Sequence, residues 1–227
     1  MIKISNTETY GWEAAIRGMR NPMNSWDKSD SAFSTGLSTY NILNKKVDPV
    51  KGSIVDSGSC IGPADQNLML RLANSGTDHR KFMRMIAVYC DVTAPLYWWK
   101  EFDTYKVATV ANSTSTMHKI HSKPFEADDF SNDHMSDAAL GALDTLMEFL
   151  EQQRLKFVET KDKSYWYDII QLLPESYNQK RTITMNYENL LNMYYARKNH
   201  KLDEWHTYCD WILSLPYTKE LFLRESD

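Results

Sequence analysis

Cysteine is scarce in this chain of 227 residues, with only Cys60, Cys90 and Cys209. Three thiols, far apart and in no C-x-x-C pair, argue against a disulfide framework and against a cysteine-rich zinc site. Long apolar runs are also missing, so no bilayer-spanning segment is expected. The opening "MIKISNTETYGWEAA" has no apolar core of a signal peptide, and a soluble cytoplasmic protein is the expectation. Positive charge is not in excess. A net charge of −4 offers no basic field for a nucleic-acid polymer, although a local cluster of donors can still hold a single nucleotide. No G-x-G-x-x-G, G-x-x-x-x-G-K-[ST] or G-x-S-x-G occurs, which removes the usual sequence support for a glycine-rich phosphate loop and for serine-hydrolase chemistry. Internal repeats and low-complexity tracts are absent.

What remains is ordinary globular material. Hydrophobic residues make up 42% of the chain, enough for a real core, and the length suits one domain over residues 1–227. Seven Trp and thirteen Tyr are generous, and such side chains often line pockets and subunit contacts. Residues 8–19 place Trp12, Ile16 and Met19 on one helical face, with Thr7 or Thr9 as a cap. Residues 20–62 read as a long loop with one short helix near "STYNILNKK". Pro63 opens a helix that points Leu68, Met69, Leu72 and Ala73 inward before Gly76 ends it. Residues 83–92 read as a strand and 94–105 as a helix. Ser136 caps a helix over 137–157 with Leu140, Leu143, Met147 and Leu150 as its stripe. A helix over 161–172, a break at Pro174 and helices over 186–198 and 202–213 complete an α+β reading with helices in the majority.

Three stretches carry possible chemistry. "HKIH" sets His118 and His121 three apart, a spacing that suits metal ligands on a helix but has no accompanying carboxylate motif. "YWWKEF" can stack a planar ring, and as readily forms plain core. "TYKVATVANSTSTMHKI" (104–120) concentrates hydroxyl, amide and ammonium groups directly after that aromatic run. Such a set can cradle a phosphate or a base edge, or simply cap a solvated turn.

"LANSGTDHRKFMRMIAVYCDVTAPLYWWKEFDTYKVATVANSTSTMHK" resembles the central segment of the flavin-dependent thymidylate synthases. "LLPESYNQKRTITMNYENLLNMYYARKNHKLDEWHTYCDWI" resembles the family's C-terminal L-P…N…L…N…L-R…E pattern, carried here by Leu173, Pro174, Asn186, Leu190, Asn192, Arg197 and Glu204. "WEAAIRGMRNP" is similar to the family's early helix. The family signature R-H-R-x-x-S-x-N-E-x-S-x-R-Y is degenerate. Asn112 and Ser115 match it, and Lys106 and Thr109 stand for the second Arg and first Ser. Thr104, Tyr105, Ser113, Met117 and His118 replace the first Arg, the His, the Glu, the last Arg and the Tyr. Ile170 stands where the family has a further Arg.

The resemblance implies helices packed on a small, mainly antiparallel twisted sheet, and a homotetramer with sites between subunits. It implies FAD as cofactor, a dUMP-like pyrimidine nucleotide as substrate, and NADPH and methylenetetrahydrofolate as co-substrates. Reduced flavin would supply a hydride, the folate a carbon, and an Arg would polarise the pyrimidine. By the same correspondence Arg197 is the catalytic, pyrimidine-activating residue. His79, Tyr105, Lys106, Asn186 and Asn192 fall on cofactor positions, and Glu101, Asn112, Ser113 and Ser115 on nucleotide positions. Losing the cations at 104, 117 and 170 would cost about 3–6 kcal/mol of phosphate binding. Lys119, Lys123, Arg84 and Arg181 are the candidates to replace them. A non-catalytic nucleotide-binding or interaction protein on the same fold is the alternative.

Overall fold

The computed structural model describes residues 2–33, 53–56 and 59–223. The short helix expected near "STYNILNKK" lies outside the described residues. The chain forms two compact units that interleave along the sequence. One comprises residues 1–5, 91–106 and 111–183; the other comprises 6–90, 107–110 and 184–227. A four-stranded antiparallel sheet runs in the order β1 (Lys3–Tyr10), β4 (Ala87–Pro95), β6 (Asn178–Asn186), β5 (Val110–Ser113). The expected α+β class is therefore what is found. No described helix is long and apolar enough to cross a membrane.

In the second unit the first helix, α1 (Trp12–Arg20), buries Trp12, Ile16 and Met19 as its spacing predicts, but begins later than expected. Residues 3–10 are strand, and Gly11 makes the corner at φ 91°. A Cβ at residue 11 would collide with the Met85 carbonyl, so only glycine serves there. The start of α1 has no side-chain cap, and the Thr9 hydroxyl accepts from Trp12 Nε1 at 3.1 Å. The long loop expected over 20–62 contains two 3₁₀ turns, Asn21–Met23 and Trp26–Lys28, and a hairpin of β2 (Ser53–Asp56) and β3 (Ser59–Ile61).

Helix α2 (Pro63–Asn74) departs from its expected packing. Of the four residues expected inward only Met69 is fully buried, beside Asp65. Leu68 and Leu72 face one cavity and Ala73 another, so the rest of the apolar stripe lines open space. The strand expected over 83–92 is also displaced. Arg80–Met85 is a 3₁₀ helix that buries the adjacent pair Phe82 and Met83, as a helical turn can and a strand cannot. Strand alternation starts only at Val88 and continues through Cys90, Val92 and Ala94. Three further helices complete this unit: α6 (Tyr187–Arg197), α7 (Asp203–Ser214) and α8 (Thr218–Phe222). Trp12 packs edge-on to Tyr187 of α6, with ring centroids 5.2 Å apart.

In the first unit α3 (Leu96–Phe102) is shorter than expected, because β4 continues through Pro95. Its Trp98, Trp99 and Phe102 are buried against one another, and Trp99 Nε1 donates to the Gln179 carbonyl at 2.9 Å. The aromatic run is thus core. Helix α4 (Asp137–Thr160) starts at Ser136, whose hydroxyl accepts from Ala139 N. It pairs with α5 (Lys163–Leu172) around Phe125, Phe130, Leu143, Leu150 and Ile169. Arg154 on α4 binds Glu151, which in turn accepts from Phe125 N, so the segment before Phe125 is pinned to this helix.

Candidate functional site

The second unit holds a cavity of about 710 Å³ walled by the end of α1, the 22–28 segment, α2 and residues 78–82. Its frame is a buried polar knot. Asp65, with no exposed surface, accepts from Arg20 Nε (2.5 Å), Ser29 Oγ (2.7 Å), Ser31 Oγ (2.6 Å) and Ser31 N (3.2 Å). Arg20 also donates to the Ser25 carbonyl at 3.1 Å, which ties the loop into a ring. The start of α2 has no capping side chain of its own. Asp30 supplies it from the loop, accepting from Ala64 N (2.8 Å) and Asp65 N (3.1 Å). Gly62 allows that approach, since a Cβ there would overlap Asp30.

The cavity lining is chemically mixed. Ala64, Leu68 and Leu72 of α2 and Met19, Met23 and Phe82 make it apolar. Lys28, Arg71, His79 and Lys81 bring basic groups, against one acid, Asp78. Arg71 lies three residues after Leu68 on the same helix face, so α2 presents charge and apolar surface together. His79, expected at the cofactor, is on this lining.

The N-terminus of α6 gathers further expected positions. Asn186 Oδ1 accepts from Asn189 N at 2.9 Å and Asn189 Oδ1 accepts from Asn186 N at 3.1 Å, a reciprocal capping box. The oxygen of Asn186 is thus spent on the helix start. Asn189 then uses its Nδ2 to donate to the Val107 carbonyl at 2.9 Å. The next residue, Ala108, sits at φ 57°, a conformation that costs an alanine about 1–2 kcal/mol. Asn186 therefore reaches the hydroxyl-rich stretch through Asn189.

One residue before Asn189, Glu188 accepts from Arg80 Nε at 3.2 Å and pairs with Arg84. Burial alone would raise the Glu188 pKa, but the hydrogen bonds from Arg84 and Arg80 outweigh it and hold the carboxyl below its ordinary value. A carboxylate depressed in the folded state stabilises fully above its unfolded pKa, about 4.3, and that contribution is lost as pH falls through the folded value. The protein is thus expected to weaken below about pH 4.3. Glu188→Gln should be less stable at neutral pH and lose less over that acid interval. Urea midpoints on both sides of the interval check this; parallel profiles for the two proteins would refute it.

Asn192 is exposed and lines a separate cavity of about 190 Å³ with Asn74, Arg80 and Tyr195. His79 and Asn192, both expected at the cofactor, therefore open on different cavities. Arg197 ends α6 with its guanidinium 4.6 Å over the fully buried ring of Trp205.

Glu101, Tyr105, Lys106, Asn112, Ser113 and Ser115 all belong to the first unit. Tyr105 and Glu101 are half-buried and Lys106 is exposed. Asn112 and Ser113 lie on β5, all of whose residues are exposed. Ser115 Oγ accepts from Met117 N (3.3 Å) and His118 N (2.8 Å), forming a local turn. Three of the four candidate replacement cations are committed elsewhere. Arg84 pairs with Glu188, Lys123 with Asp129, and Arg181 with Asp103 while stacking on Trp99 at 4.2 Å. Lys119 is exposed. His118 and His121 gain no third partner, and among the described residues no group of three His, Cys, Asp or Glu can hold a metal ion.

Sequence reasoning missed Lys28, Arg71, Lys81 and Asn189. Asn189 had a signal, its spacing of three from Asn186 at a helix start. Lys81 follows His79 by two. Lys28 and Arg71 had none, being joined only by the fold.

No family model matches the sequence, and no curated protein matches it. Solved structures do. Thymidylate synthase X of Helicobacter pylori, with FAD and dUMP, superposes with a TM-score of 0.65 over 98% of this chain and 97% of that one, at 14% identity. A second structure of the flavin-dependent enzyme from the same organism, complexed with FAD and dUMP, gives 0.61 over 97% of each chain at 16% identity. The fold is that of the flavin-dependent thymidylate synthases. The fold correspondence extends from end to end of the chain at 14–16% identity.

Proposed function

We propose that residues 1–227 form a single functional domain, a divergent flavin-dependent thymidylate synthase-like enzyme. It binds FAD and a dUMP-like nucleotide and transfers a one-carbon unit to the pyrimidine C5, with NADPH and methylenetetrahydrofolate as co-substrates, in a homotetramer. The observation that carries this reading is the end-to-end correspondence with an enzyme solved with both FAD and dUMP. The donor set suits an anionic, ring-bearing cofactor. A cavity of about 710 Å³ lies in the range of small-molecule sites, with apolar walls and basic groups at Lys28, Arg71, His79 and Lys81.

Bound flavin, once reduced, supplies the hydride. The chain itself has three tasks. Arg71 and Lys81 hold negative charge, and the apolar face of α2 excludes water from a planar ring. Arg197 donates its fixed fork of N–H groups to the pyrimidine carbonyl, stabilising negative charge that develops on the ring. Its stacking on Trp205 holds that fork in place.

The exposed, neutral residues Asn112, Ser113 and Ser115 favour a second reading, nucleotide binding on this fold without chemistry. Purified protein, loaded with FAD and freed of excess by gel filtration, is expected to retain a flavin band in the visible spectrum and to form dTMP from dUMP. A folded protein with no flavin band would overturn the enzyme reading.

A further inference from the structure

We infer that the negative charge of a nucleotide is gripped in this chain by Lys28, Arg71 and Lys81, around the cavity on α2, and that the ligand is a nucleoside diphosphate or a cofactor containing one. This deepens the reading above and rests on it only for the identity of the complete cofactor. Three observations converge.

The first is charge. The chain is net negative, yet this cavity gathers Lys28, Arg71 and Lys81 against the single carboxylate of Asp78. No ion pair among the described residues engages these three cations. The other wall cation, Arg20, is neutralised by Asp65. By contrast, Arg84, Lys123 and Arg181 are already paired. Lys28, Arg71 and Lys81 can therefore meet an external anion on one cavity wall, and each exposed ammonium or guanidinium binds a phosphate without the cost of burial.

The second is shape and polarity. Inorganic phosphate would need only the cations. The same lining carries Met19, Met23, Leu68, Leu72 and Phe82, an apolar surface with soft thioethers suited to the face of a planar ring. Asp78 offers acceptors for ribose hydroxyls. Cations, one carboxylate and apolar walls together match the phosphates, sugar and base of one ligand.

The third is preorganisation. The loop bearing Lys28 is fixed to α2 by the Asp65 and Asp30 hydrogen bonds, and Arg71 lies on α2 itself. The wall is thus built before the ligand arrives, which lowers the ordering cost of binding.

The test is calorimetric titration of the flavin-free protein with ADP, pyrophosphate and adenosine, alongside flavin retention. ADP is expected to bind more tightly than either fragment and to weaken as salt is raised. Arg71→Ala and Lys81→Ala should each weaken ADP about tenfold. Lys163→Ala, an exposed cation outside the cavity, should change nothing, and melting temperatures should stay level because all these side chains are exposed. Failure of ADP to bind, or equal binding by both cavity variants and the wild type, would overturn the inference. Pyrophosphate binding as tightly as ADP would remove the ring-binding part of it. The two readings separate cleanly. ADP binding lost in the variants but without any flavin retention keeps this site and removes the flavin enzyme. Flavin retention untouched by Arg71→Ala and Lys81→Ala does the reverse.

Discussion

Asp65→Ala is expected to destabilise the protein by about 3–5 kcal/mol, the usual cost of removing one partner of a buried ion pair. The carboxylate is wholly buried and accepts four hydrogen bonds, one from Arg20, which is itself only 4% exposed. Alanine leaves that guanidinium without its counter-charge and three further donors without an acceptor. The effect should far exceed that of Arg17→Ala, whose partner Glu13 is an exposed neighbour one turn away and worth only a few tenths of a kcal/mol. Urea unfolding followed by tryptophan fluorescence measures both. A loss below about 1 kcal/mol for Asp65→Ala would mean that the knot is not what holds the 20–31 segment to α2. Replacing Arg20 and Asp65 together by apolar residues of similar volume is expected to recover most of the loss, because the orphaned charge goes with the pair. The double variant also probes the cavity, since the Ser25 carbonyl and the loop bearing Lys28 lose their tether to Arg20.

The parts of the fold that were legible are those with one dominant local cause. The face of α1 follows from the spacing of Trp12, Ile16 and Met19, and the start of α4 from Ser136 before an apolar periodic run. Helices α6 and α7 match the expected 186–198 and 202–213 to within a residue or so, whereas α8 carries no sequence expectation. Strand β1 was not legible because only Thr9 on it is buried, so no alternation marks "KISNTETY". Residues 83–85, expected as strand for their β-forming content, belong to the Arg80–Met85 turn, which the adjacent inward pair Phe82 and Met83 marks. Helix α2 shows a subtler limit. Its sequence states which residues are apolar, but whether Leu68 and Leu72 meet core or a cavity depends on Met23 and Phe82, which are remote in sequence.

The candidate site divides in the same way. Positions tied to a local pattern, Asn186 and Asn189 at a helix start or Arg197 at a helix end, can be read from the chain. A charge cluster assembled from Lys28, Arg71 and Lys81 cannot, because no spacing rule joins residues of an α-helix and two separate 3₁₀ turns. That cations are few over residues 104–118 is visible in the sequence, whereas the place of other cations is not. This asymmetry is general for sites built by tertiary convergence.

Arg197→Ala is expected to reduce dTMP formation by about 10²–10³-fold, the range for losing a preorganised donor to developing negative charge. The side chain lies at the C-terminal end of α6, where a cation also suits the helix dipole, and its guanidinium packs over Trp205. That stacking is worth about 0.5–2 kcal/mol, so the unfolding midpoint should shift only modestly. The gap between a large loss of turnover and a small loss of stability separates chemistry from packing. Arg197→Lys sharpens the distinction. A lysine keeps the charge but not the planar fork or the stacking plane, and should stay well below wild-type turnover. Because the assigned role is toward the pyrimidine, both variants should retain flavin while the change in flavin absorbance on adding dUMP weakens. Full turnover in Arg197→Ala would end the assignment. Loss of flavin retention together with turnover would move Arg197 from the pyrimidine to the cofactor.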